Sequence, residues 1–130
     1  MNHEEATVRA FIQKSKQERC IQFLASPKHR RKFTSELAHF KWLDERFAHP
    51  ILPSRAHTVK EIAALLRSKG AGPTVHVISE DSKIDGKELG LEEAISQVTG
   101  GGMGTILSCI PGKLGYFEDE DVKSSRLLER

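Results

Sequence analysis

Apolar residues recur at three- and four-residue steps through the first part of the chain. Val8, Phe11, Ile12, Cys20, Phe23 and Leu24 form one stripe, and Lys14, Lys16, Gln17 and Glu18 occupy the other side. The period is that of a helix, so the pattern predicts an amphipathic helix from Glu4 to Ala25. Ser15, Lys16 and Arg19 thin its stripe in the middle. Ser26-Pro27 then resets the chain, because serine caps helix starts and proline suits the first helical position. A second helix is expected from Pro27 to Ala48 or His49, with Phe33, Leu37, Phe40 and Phe47 on one face and Trp42 and Leu43 widening it. Pro50 disfavours helical geometry in the residue before it and ends this segment. Two helices meeting at Ser26-Pro27 make a helical hairpin or a corner.

From Pro50 to His57 the pattern is that of a linker, with prolines at 50 and 53 excluding regular helix. Thr58-Val59-Lys60-Glu61 then matches a capping box, and Ile62, Ala63, Leu65 and Leu66 supply an apolar face that Gly70 closes. The period changes after Gly72-Pro73. Thr74 to Ser79 is short and rich in β-branched residues, which predicts a strand with Val75 and Val77 on one face and His76 and Ile78 on the other. Glu80 to Lys83 reads as a turn, and Asp85-Gly86 as the centre of a second, tight one. Leu91 to Val98 reads as a two-turn helix stopped at Gly100. Thr105–Ile110 and Lys113–Glu118 are two strands around Pro111-Gly112, whose residue types fit a type II turn with a bulge or a longer loop nearby. Glu118 to Asp121 is expected as a solvated acidic loop, and Ser125 to Leu128 as a final edge strand.

These elements predict an α+β protein in which N-terminal helices pack on a small antiparallel sheet that carries one additional short helix. The domain reading is a helical region at 1–49, a linker at 50–57 and an α+β core at 58–130, within a length that one compact domain accommodates. The longest apolar runs are far short of the roughly 20 residues a membrane span needs. Met1-Asn2-His3-Glu4-Glu5 lacks the order of a signal peptide, so a cytoplasmic location and no membrane partner are the expectation. Cys20 and Cys109 lie far apart with no second cysteine near either, which excludes a Cys-x-x-Cys pair and favours two small buried hydrophobes.

Charge changes the picture. Residues 1–72 hold 14 Lys or Arg against 7 Asp or Glu, and residues 73–130 hold 6 against 11, so +7 and −5 combine to the net +2. A basic N-terminal half and an acidic C-terminal half point to an anionic partner for one half or to attraction within the fold. Lys28, His29, Arg30, Arg31 and Lys32 crowd the start of the second expected helix, where the macrodipole is already positive. A bound anion or partner, internal counter-charge from Glu118 to Asp121, or plain solvation would offset that repulsion. Lys28, Arg30, Arg31 and Lys32 are therefore the candidate anion- or partner-binding residues.

Other constellations are weaker. Gly100-Gly101-Gly102-Met103-Gly104 lacks the following lysine of a phosphate loop and lies between a helix and a strand, the reverse of the order both nucleotide motifs require. Glycines there suit a flexible connection, a bulge or close backbone packing. His76 and Cys109 are a conceivable base and nucleophile on neighbouring strands, although both sit in apolar patterns. No His-Glu-x-x-His or calcium-loop spacing is present, and neither a metal nor a cofactor is expected. The sequence thus favours a small non-enzymatic interaction or regulatory module that binds a protein partner or itself, through the basic turn or a sheet edge. Nucleic-acid binding by the basic half, with Lys41, Arg46, Arg55, Lys60, Arg67 and Lys69 added to the turn, is the alternative. A thiol enzyme using Cys109 and His76 is third.

Overall fold

The computed structural model describes residues 2–51, 58–99, 103–119 and 125–130, and within them five helices surround one six-stranded antiparallel sheet. The helices are α1 (His3–Phe11), α2 (Gln17–Ala25), α3 (Arg30–Thr34), α4 (Val59–Ser68) and α5 (Leu91–Val98). The strands are β1 (Ala48–Pro50), β2 (Thr74–Ser79), β3 (Glu88–Gly90), β4 (Thr105–Ile110), β5 (Leu114–Glu118) and β6 (Arg126–Glu129), arranged β1-β6-β5-β4-β2-β3. The α+β expectation holds.

Apolar pairs such as Val77-Ile78, Ile106-Leu107, Tyr116-Phe117 and Leu127-Leu128 send one side chain to each face, so both faces must be covered. On one face Val77, Leu107, Tyr116 and Leu127 pack under Ile62 and Leu66 of α4 and Leu91 and Ile95 of α5. On the other, Ile78, Ile106, Phe117 and Leu128 pack under Val8, Phe11, Leu24, Phe33 and Leu37 of the N-terminal segment.

Several elements follow the local signals closely. Thr58 caps α4 in a complete capping box with Glu61. Gly112 takes φ +71° in the β4–β5 turn, Lys113 N–H donates to the Ile110 carbonyl at 3.0 Å, and a register shift lies between Ser108 and Ile110. The stop expected at Gly100 lies outside the described residues; α5 ends at Val98 with Thr99 as its cap.

Four expectations are corrected. The helix expected from Glu4 to Ala25 is broken, because Ile12 turns extended and bridges Leu43, while Gln13 N–H donates to the Trp42 carbonyl at 2.7 Å and Asp44 N–H to that of Phe11 at 2.7 Å. The second helix shrinks to α3, and its aromatic face reaches the core through two 3₁₀ turns at Leu37–His39 and Glu45–Phe47 before the chain enters β1. The last strand is interior, since Ala48, His49 and Pro50 pair with Leu128, Leu127 and Arg126 along its outer side. Finally, Glu118 ends β5 at 2% exposure and is not part of a solvated loop. Residues 120 and 121 of that loop lie outside the described residues.

Candidate functional site

The basic turn is built by α2 ending at Ala25 and α3 beginning at Arg30. Ser26 carbonyl accepts from His29 N–H at 3.0 Å, and the Ser26 hydroxyl and His29 Nδ1 share a hydrogen bond at 3.1 Å. A serine start followed by proline produces this short turn locally. The four candidate cations then separate. Arg30 points inward, with 19% of its side chain exposed, and grips two carboxylates in fork geometry. Its Nη1 donates to Glu4 Oε1 at 2.8 Å and its Nη2 to Glu4 Oε2, while Nε and Nη2 donate to the two oxygens of Asp85 at 2.6 and 3.0 Å. Lys28, Arg31 and Lys32 stay exposed. Arg31 Nη1 donates to the Glu80 carbonyl at 3.2 Å, and Lys32 Nζ stands 5.9 Å from the Phe23 ring centre.

Among the described residues, the counter-charge for the turn is at Arg30, and it comes from Glu4 and Asp85. Glu118, the first residue of the expected source Glu118 to Asp121, faces the opposite side of the sheet, where its carboxylate accepts from the Tyr116 hydroxyl at 3.2 Å; residues 120 and 121 lie outside the described residues. Burial raises the Glu118 pKa to about 7, against hydrogen bonds from Tyr116 and Ser125 that lower it in part. At Glu4 the balance is reversed. Desolvation would raise its pKa, yet hydrogen bonds from His76 and Arg30 bring it down to about 2. The bonds to Glu4 and to Asp85 drive the Arg30 pKa up and keep its guanidinium charged.

Glu4 also leads to a second set of residues. His76 Nε2–H donates to Glu4 Oε2 at 2.8 Å, and the His76 ring stacks on that of His3 with centres 5.4 Å apart and planes 16° apart. His3 Nδ1 in turn meets Ser108 Oγ at 2.7 Å. A serine and a histidine are in contact here, but the carboxylate serves the other histidine, so the relay of a catalytic triad is not assembled. Sequence reasoning singled out neither His3, Glu4 nor Asp85, because each is a single polar residue in an ordinary local pattern. Only the alternation that put His76 opposite Val75 and Val77 hinted at a polar partner on that face.

Cys109 packs in the cluster under α4 and α5, across the sheet from His76. Burial pushes its thiol up to about 12 and that of Cys20 up to about 11, the reverse of what a nucleophilic cysteine needs. The wider set of cations is divided between the two helical layers. Arg67 of α4 pairs with Glu92 at 3.3 Å and Lys69 with Glu129 at 3.4 Å, on the side of the sheet away from α3. Arg46 is held by Asp44 at 2.7 Å, and Arg55 lies outside the described residues. No described helix is long and apolar enough to cross a membrane, and no described group of three or more His, Cys, Asp or Glu is placed to hold a metal ion.

Comparison of the chain with protein-family models, with curated proteins and with solved structures found no match.

Proposed function

We propose that the chain is a non-enzymatic binding module that recognises an acidic surface of a protein partner through Lys28, Arg31 and Lys32. The observation that supports this reading is the division of labour within the turn. Arg30 is turned inward by four hydrogen bonds to two carboxylates, while Lys28, Arg31 and Lys32 on either side of it stay exposed. Arrays of this kind give charge complementarity, which sets association rate and partner choice. The separation of the basic residues across two layers favours a compact acidic patch over a long phosphate backbone as the ligand.

Strand addition at a sheet edge is less favoured. The two edge strands, β1 and β3, are three residues each, and Pro50 removes a donor from β1.

The test places a photo-crosslinking amino acid at position 28 and, as control, at Lys60 on α4, in cells of the source organism. A single cross-linked protein from position 28, absent from position 60 and lost when Arg31 and Lys32 become glutamate, is the expected result. Salt-dependent binding of oligonucleotides that the same double substitution abolishes would instead establish the nucleic-acid reading.

A further inference from the structure

The first turn of α1 meets the sheet through two stacked imidazoles, those of His3 and His76. His3 is the first residue of α1, and its ring lies flat against that of His76 on β2. Ser108 on β4 is 1% exposed, and His3 Nδ1 is the partner of its hydroxyl. In the neutral ring with its proton on Nε2, Nδ1 accepts from the Ser108 hydroxyl; a charged ring has to donate to that oxygen instead.

The charged groups around the pair are unevenly placed. Glu4, on the same helix turn as His3, touches His76 and keeps its negative charge down to about pH 2. The carboxylate that faces His3 is Glu88 of β3, which is hydrogen-bonded to Thr74 at 2.8 Å and acts on His3 only through space. Arg30 of α3 reaches this corner only by way of Glu4. Desolvation and the neighbouring His76 lower the His3 pKa from 6.5, with Glu88 opposing.

We infer that the first turn of α1 is a proton-operated latch, closed by neutral His3 on Ser108 and His76 and opened when His3 becomes charged. The sign follows from the linkage. A histidine whose folded pKa is depressed contributes its stability fully above 6.5 and loses it as pH falls below that value. Opening withdraws Glu4 from Arg30 as well, because both contacts hang on the same helix turn. Of its two carboxylates Arg30 then keeps Asp85, and the basic turn loses half of its ionic anchor.

The inference is tested without any partner, so its outcome is independent of the protein-binding reading. Amide hydrogen exchange of the full chain is followed at pH 7.5 and pH 5.0 and corrected for the intrinsic rates. Protection of residues 6–8 relative to that of α5 should fall roughly tenfold in the wild type at the lower pH. In H3Q, whose amide still bonds Ser108 but takes no proton, the ratio should change less than about twofold. H76Q, which removes the neighbouring imidazole and leaves His3 in place, should give an intermediate fall. Equal ratios at the two pH values in the wild type, or an undiminished fall in H3Q with α5 still protected, would overturn the latch.

Discussion

Gly104 lies against the backbone of Leu37. A β-carbon on Gly104 would overlap the Leu37 carbonyl and come within 2.6 Å of the Ala38 nitrogen, so the start of β4 and the segment after α3 touch main chain to main chain. At least one glycine of the Gly-rich stretch is thus there for close packing between layers; residues 100–102 lie outside the described residues. Gly104→Ala should lower stability by about 1–3 kcal/mol, the cost of overpacking a site that backbone on both sides cannot relax. Gly72→Ala is the control, since nothing stands within 4 Å of a β-carbon there. Urea denaturation of both variants reads the contrast directly.

Removing Arg30 leaves Glu4 and Asp85 facing one another with little access to water, at 16% and 14% side-chain exposure. Arg30→Gln should cost roughly 2–4 kcal/mol, because an uncompensated, largely buried charge is more expensive than the pair was valuable. Arg30→Lys should recover only part of this loss, as an ammonium cannot serve both carboxylates in fork geometry. Thermal unfolding of the two variants at pH 7.5 measures the difference.

Glu118 titrates in the opposite sense to His3. Its folded pKa of about 7 lies above the unfolded carboxyl value of 4.5, so the native state holds the proton more tightly. Its contribution is complete below pH 4.5, declines as pH rises toward 7 and is flat above that, by at most about 1.4 kcal/mol per pH unit. Glu118→Gln mimics the protonated form. The stability of this variant minus that of the wild type should grow between pH 5 and pH 7 and then level off. Denaturation at four pH values across this range gives the difference, from which all other titrating groups cancel.

Both thiols should be inert in the folded protein. Cys109 at 8% exposure and Cys20 at 0% are held as thiols by burial, and the thiolate is the reacting species. Mass spectrometry after iodoacetamide treatment at pH 8 should show no adduct under native conditions and two adducts in denaturant. Rapid native alkylation of Cys109 would reopen the thiol-enzyme reading.

Several elements were legible in the chain because their signals are local, although the Ser26-Pro27 signal placed a helix start at Pro27 and α3 begins at Arg30. The capping box at Thr58 and Glu61, the helix at Leu91–Val98 and the Pro111-Gly112 turn each rest on bonds between residues a few positions apart, whereas the β-branched run at Thr74–Ser79 was legible from its residue types and is held by β3 and β4. The energetics of the first three are decided within one turn of chain. The region from Ile12 to Pro50 was settled otherwise. Helix propensity there differs by only tenths of a kcal/mol per residue, and long-range pairing of Ile12 with Leu43 and of β1 with β6 outweighs it. The candidate site divides in the same way. Its cations were legible as a cluster because they are adjacent in sequence. Which of them turns inward was decided by Glu4 and Asp85, separated from Arg30 by 26 and 55 residues, and by the two buried faces that bring those carboxylates together.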